Sequence, residues 1–357
     1  MTALASVPSA DAFYMPADAC RQARLWLPWP AEDAALQAAV GEVARAAAAF
    51  EPVALLTAPG GEQAARAVCG EALSDIFPLA PTTLHLRGTG PTFLVDGKGG
   101  SAAVDWRFNG WGGRGPDADA GLAHSLLGVA EVRRFRAPLT LEGSSVVADG
   151  RGTVLALEPA VFDPLRNPGL TPLHAFGIFQ DWLAAARVVW IGPSHPGDGL
   201  VTDIRACAAF AAPGLVAIND PAAHPSFAKI SETLARTRDA QGKPFELISL
   251  PAPSSEHVMS YTNVLPVNGG LLVPAFDLPS DARAADLLAE VFPERIIRPV
   301  PARGLAMTGV TLTALTLPHP ARLLERDRAK VLPRSAWSQP TPDAEALLQH
   351  YIDLAKD

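Results

Sequence analysis

The 357-residue chain has three cysteines, Cys20, Cys69 and Cys207, with no Cys-x-x-Cys pair among them. That excludes a disulfide framework and a cysteine-rich zinc site. Basic charge is also short. Twenty-nine Lys and Arg stand against 37 Asp and Glu, for a net charge of −8 and a pI near 5.5. With no Lys/Arg-rich arm, the chain lacks the surface that displaces counterions from phosphates, so no nucleic-acid partner is expected. Long apolar runs are missing too. The longest uncharged stretches, residues 258–276 and 304–321, are broken by Asn, Gly, Thr and Pro, and predict buried strands with turns rather than membrane spans. Met1–Tyr14 has neither a positive n-region nor an apolar h-region, so no signal peptide is expected. The expectation is a soluble, cytoplasmic protein with no membrane partner.

What the chain does have is apolar content and punctuation. Hydrophobic residues make up 48% and charged residues 18%, enough for a large core. Thirty-four prolines and 29 glycines exclude long uninterrupted helices and predict short elements joined by turns. Strand-like runs fall at Val53–Thr57, Thr92–Val95, Ser145–Ala148, Thr153–Leu157, Val188–Ile191, Leu215–Ile218, Glu246–Leu250, Leu271–Pro274 and Thr311–Thr316. Helical stretches lie between several of them, at Asp33–Phe50, Glu62–Phe77, Phe176–Ala184, Ala222–Asp239 and Asp281–Phe292. Asp149-Gly150-Arg151-Gly152 and Asn268-Gly269-Gly270 are hairpin turn signals, because glycine tolerates positive φ. The pattern predicts repeated α/β units in one domain, residues 1–320. Residues 321–357 read as a charged linker, with Arg322, Arg326, Arg328, Lys330 and Arg334, and an amphipathic helix carrying Leu347, Leu348, Tyr351, Ile352 and Ala355.

Several segments, in order, resemble the agmatine deiminase and bacterial peptidyl-arginine deiminase family. They are Met15-Pro16-Ala17-Asp18 with Trp26-Leu27-Pro28-Trp29-Pro30, Gly90-Pro91-Thr92-Phe93 and Phe108-Asn109-Gly110-Trp111-Gly112-Gly113. Leu141-Glu142-Gly143, Arg166-Asn167-Pro168, Ser260-Tyr261-Thr262-Asn263, Val273-Pro274-Ala275-Phe276 and Phe292-Pro293-Glu294-Arg295 follow. The resemblance implies a pseudo-fivefold α/β-propeller with its site at the centre. It also implies guanidinium hydrolysis, in which a thiolate attacks, a histidine moves protons and carboxylates hold the cation.

Position by position, the chain departs from that pattern. In the Gly-rich stretch that ends His-Cys-Ile-Thr in the family, Thr313 stands at the histidine and Ala314 at the cysteine. Gly88 stands at the aspartate of Trp-x-Arg-Asp-x-Gly-Pro, and Asp203 and Arg205 stand at the histidine and aspartate of Gly-His-x-Asp. An aspartate-to-arginine change turns about 4 kcal/mol of gross attraction for a guanidinium at ~4 Å into repulsion of similar size. The expectation is therefore a catalytically inactive protein that binds a ligand, most directly a peptide, as an accessory to a modifying enzyme in peptide natural-product assembly. The ligand-binding candidates are Arg87, Asn109, Trp111, Glu142, Asp203 and Arg205. The alternative is a divergent hydrolase or transferase acting on guanidino or peptidyl-arginine substrates through Asp203, His85 or Cys207. Arg205 either faces the cleft or pairs with Asp203 or Asp198. Cys207 reads as a small buried hydrophobe. His195-Pro196-Gly197-Asp198 reads as a turn, and neither metal nor cofactor is expected. Homo-oligomerisation is left open.

Overall fold

The computed structural model describes residues 6–192, 203–253 and 259–323. The His195–Asp198 turn and the charged linker and helix of residues 324–357 lie outside the described residues. The described strands are β1 (Gln22–Pro28), β2 (Val53–Leu56), β3 (Asp75–Phe77), β4 (Thr92–Val95), β5 (Ser101–Arg107), β6 (Arg133–Thr140), β7 (Val146–Ala148) and β8 (Thr153–Leu157). They continue with β9 (Arg187–Ile191), β10 (Ala208–Ala212), β11 (Leu215–Asn219), β12 (Glu246–Leu250), β13 (Leu265–Val267), β14 (Gly270–Ala275), β15 (Ile296–Pro301) and β16 (Leu317–Pro320).

These strands form five small mixed sheets, and each repeats one unit. A first strand pairs antiparallel with a second, a helix crosses over, and a third strand pairs parallel with the second: β4-β5-β6, β7-β8-β9, β10-β11-β12 and β13-β14-β15. The parallel partner requires the crossover, and helices Leu122–Val129, Pro172–Leu183, Pro225–Arg236 and Ser280–Val291 supply it. The fifth sheet joins the ends of the fold. β16 pairs antiparallel with β1, setting Leu317 opposite Trp26, and β1 pairs parallel with β2. Helix Ala34–Ala48 makes that crossover, and the Asp33 side chain caps it by accepting from the Leu36 amide. Leu25, Leu27 and Leu55 are wholly buried beneath this helix and stabilise it by about 2 kcal/mol each.

Both expected hairpin turns form. Asp149 Oδ1 accepts from the Arg151 and Thr153 amides between β7 and β8, while Gly150 has φ +72°. Gly269, at φ +77°, turns β13 into β14. Two expectations fail. The Glu62–Phe77 helix stops at Cys69, where Gly70 takes φ +59°, and Asp75–Phe77 is a strand. The Thr311–Thr316 run is a short helix, Leu312–Leu315, because the Thr311 hydroxyl accepts from the Ala314 amide and the Thr316 hydroxyl donates to the Leu312 carbonyl. Those side-chain bonds outweigh the strand preference of β-branched residues.

Candidate functional site

Just before the first strand of each sheet the chain makes a short turn: Leu86–Thr89, Gly143–Ser145, Ile204–Ala206, residues 260–263 and Leu312–Leu315. These turns pack against one another. Arg87 Nε donates to the Thr313 carbonyl at 2.8 Å. A Cβ at Gly143 would stand 2.7 Å from the Arg87 carbonyl oxygen, so glycine permits that approach. Thr262 donates its hydroxyl to the Arg205 carbonyl at 2.9 Å, and the Thr313 amide donates to Asn263 Oδ1 at 2.9 Å. Five stretches far apart in sequence thus meet at one place.

Asp203 sits within it, 2% exposed, and its carboxylate is saturated. Oδ2 accepts from Thr311 at 2.8 Å, from Asn263 at 3.1 Å and from the Thr313 hydroxyl, while Oδ1 accepts from the Arg205 amide at 3.0 Å. Ala314 is buried beside this cluster. Asn263, quoted within a family motif, and Thr311, within a strand-like run, were given no role at the site. Nothing in an isolated Asn or Thr signals a partner 60 or 108 positions away.

Arg205 lies against Asp18. Its Nη2 donates to Asp18 Oδ1 at 2.9 Å and its Nε donates to Oδ2, a bidentate pair. Arg87 Nη1 reaches the same Oδ1 at 3.5 Å. Asp203 is a further 3.8 Å neighbour of Arg205, and the pairing with Asp18 is one that sequence reasoning missed. Burial pushes the Asp18 carboxyl up, but Arg205 and Arg87 outweigh it and hold it below its ordinary range. Burial and the nearby Arg205 pull Arg87 down to about 10.

A second cluster surrounds Glu142, 1% exposed. Its Oε1 accepts from Arg166 Nε at 3.0 Å, while Oε2 has no hydrogen-bond partner. Burial raises its carboxyl, with Arg166 opposing. Arg166 Nη1 also donates to Asp163 at 2.6 Å, and Arg114 reaches the same oxygen. A Cβ at Gly88 would lie 3.6 Å from Glu142 Cβ, so the two turns touch. Trp111 borders this region in the left-handed conformation, φ +55°, at a cost of about 1–2 kcal/mol for a bulky residue. Asn109 holds it there by accepting from the Gly112 amide at 2.9 Å and donating to the Leu165 carbonyl at 3.1 Å. The Trp111 ring meets His85 edge-on at 5.7 Å and Phe108 at 4.9 Å. Burial lowers the His85 imidazole below 6.5, partly offset by Asp203, so it is neutral at pH 7.

The sequence candidates therefore divide between two neighbouring clusters: Arg87, Asp203, Arg205, Thr313 and Ala314 in one, Asn109, Trp111 and Glu142 in the other, with Gly88 between. Burial pushes Cys207 and Cys20 up to about 12, and Cys207 packs in the apolar core as expected. Among the described residues, no group of three or more His, Cys, Asp or Glu could hold a metal ion. No helix there is long and apolar enough to cross a membrane.

Residues 14–320 match the profile of Porphyromonas-type peptidyl-arginine deiminases. The agmatine deiminase of Stutzerimonas stutzeri A1501 is 31% identical over 90% of this chain and 99% of its own length. That of Pseudomonas aeruginosa LESB58 is 30% identical over 88% of this chain and 98% of its own. The solved agmatine deiminase of Enterococcus faecalis superposes with a TM-score of 0.83 at 25% identity, covering 89% of this chain and 99% of that one. These likenesses overturn the expectation of an inactive, peptide-recognising accessory protein. Full-length similarity to named deiminases points to an enzyme, and departures at single motif positions do not outweigh it. The fold, the whole-length identity and the profile match together place this chain in the Porphyromonas-type peptidyl-arginine deiminase family.

Proposed function

We propose that this chain is a hydrolase acting on a guanidino group, carried by a small molecule or by a peptidyl arginine. In this reading the five sheets form a pseudo-fivefold α/β-propeller around the converging turns. Residues 1–320 make up the catalytic domain. The observation that carries the reading is Glu142. It is a buried carboxylate whose Oε1 is fixed by Arg166 and whose Oε2 keeps its hydrogen-bonding capacity. A guanidinium supplies the planar donors that such an oxygen lacks. Trp111 offers an aromatic face for the same cation. The strain at Trp111 is what a preorganised binding wall would carry.

Because the thiols of Cys20 and Cys207 stay protonated near neutrality, the nucleophile in this reading is water. Neutral His85 accepts a proton from that water as its oxygen bonds to the guanidinium carbon. Protonated His85 returns that proton to one terminal nitrogen, the C–N bond breaks, and ammonia leaves as the added hydroxyl gives up its proton to solvent and becomes the ureido carbonyl. The product keeps a ureido group. Asp203, Thr311, Thr313 and Asn263 hold the turns that position these groups. The test is release of ammonia with formation of a ureido product when the full chain is given agmatine, arginine or an arginyl peptide. The Glu142→Gln variant is expected to lose about 100-fold in turnover. Absence of product from all three substrates overturns the reading, as does undiminished turnover in Glu142→Gln.

A further inference from the structure

Arg87 and Arg205 are more than nine-tenths buried; Asp18 lies against both, and Asp203 is 3.8 Å from Arg205. A pocket of about 50 Å³ lies against all three and is also lined by Gln22 and by apolar walls that include Pro91, Phe93 and Leu317. Its lining holds two cations and one anion, a net charge of +1. Asp203 lies 3.8 Å from Arg205 Nη1 and is already saturated by Thr311, Thr313, Asn263 and the Arg205 amide. Arg87 Nη2 and Arg205 Nη1 keep no hydrogen-bond partner. Buried guanidinium donors left unpaired are costly, and apolar walls strengthen any charge interaction beside them.

We propose that this pocket binds a small monovalent anion, of the size of formate or nitrate, between Arg87 and Arg205. The volume sets the size limit. A buried water needs only about 10–15 Å³ of such space, so the pocket has room for a few waters or one compact ion. The anion would accept from the unpaired Arg87 Nη2 and Arg205 Nη1 and tie the turns at Leu86–Thr89 and Ile204–Ala206 to the Asp18 segment. The Arg87 guanidinium, drawn down toward 10 beside Arg205, is the group such an ion would relieve. The site adjoins the Glu142 turn through Gly143, but its test reads unfolding and not turnover, so it stands or falls independently of guanidino hydrolysis.

The test is thermal unfolding of the full chain in sodium formate or nitrate, against sodium gluconate at equal ionic strength. Formate and nitrate are expected to raise Tm saturably, by about 2 °C at ten times the dissociation constant, while gluconate is too large to enter. Arg205→Met should abolish the increment. Because that variant strands Asp18 and could fail to fold, Ala17→Leu, which fills the pocket from its rim and keeps both arginines, is measured alongside it. It should also lose the increment. Equal Tm in formate and gluconate overturns the proposal, as does an undiminished increment in Ala17→Leu. An equal increment from hexanoate overturns the assignment to a free small ion.

Discussion

Asp203 and Glu142 are both buried carboxylates beside an arginine, and they differ in how much of their capacity is used. Asp203 has two hydroxyls, one amide side chain and a backbone amide on its oxygens. Glu142 has one arginine on one oxygen and nothing on the other. A saturated buried carboxylate is structural glue, since its value lies in the partners it would leave stranded. A half-used one costs desolvation without full return, and a fold that keeps it has a ligand to gain. The same contrast separates the two clusters: one locks the turns together, the other leaves a charge to be met.

The comparison breaks most readily at Asp203. Asp203→Ala leaves Thr311, Thr313, Asn263 and Arg205 without their shared acceptor and is expected to lower unfolding stability by about 3–5 kcal/mol in urea titration. A loss under about 1 kcal/mol would mean the cluster is not glue. Glu142→Gln should do the reverse, changing stability by about 1 kcal/mol while turnover falls about 100-fold.

Glu51 sharpens the contrast, because it too is buried with one bonded oxygen, from the Asn268 amide, and one without a partner. Burial pushes its carboxyl from 4.5 to about 7, opposed by Asn268 and Arg295. A raised acid favours the folded state while protonated, so its contribution is present below pH 4.5 and is lost as pH rises through about 7. Glu51→Gln should remove a decline of about 3 kcal/mol between those limits, read from unfolding stability against pH. An unchanged pH profile would show that Glu51 is ionised in the fold throughout.

The smallest expected effect is in the pH profile of catalysis. His85 titrates below 6.5 in the fold, so kcat/KM should be flat above neutrality and fall only on the acid side, below 6.5. His85→Ala should erase that acid limb. An unchanged limb would assign the base elsewhere.

Much of the fold was legible. β4, β8 and β12 coincide with the runs Thr92–Val95, Thr153–Leu157 and Glu246–Leu250, because β-branched and aliphatic residues signal a short strand both at a sheet centre, as in β8, and at a sheet edge, as in β4 and β12. β1, β5, β6, β10, β13, β15 and β16 have no counterpart among the strand-like runs; Pro, Arg or Trp breaks the pattern in all but the Ala-rich β10, and Arg24, for instance, pairs in β1 with Asp75 and lies over Trp26. At the site, residue types at motif positions located the converging turns but not their use. Arg205 was weighed against Asp203 and Asp198, yet Asp18, 187 positions away, takes it. Asp18 and Arg205 meet only in the folded chain, and no local rule contains that pairing. For the same reason Glu142 could be named as a candidate, while its spare oxygen became visible only with Arg166 in place.

The most direct test of the account is ammonia release by the full chain and by Glu142→Gln, each supplied with agmatine, arginine and an arginyl peptide. The account predicts ureido product from at least one substrate with the unaltered chain, and about 100-fold less with Glu142→Gln at nearly unchanged stability. Equal product from both proteins, or none from the unaltered chain, would contradict it.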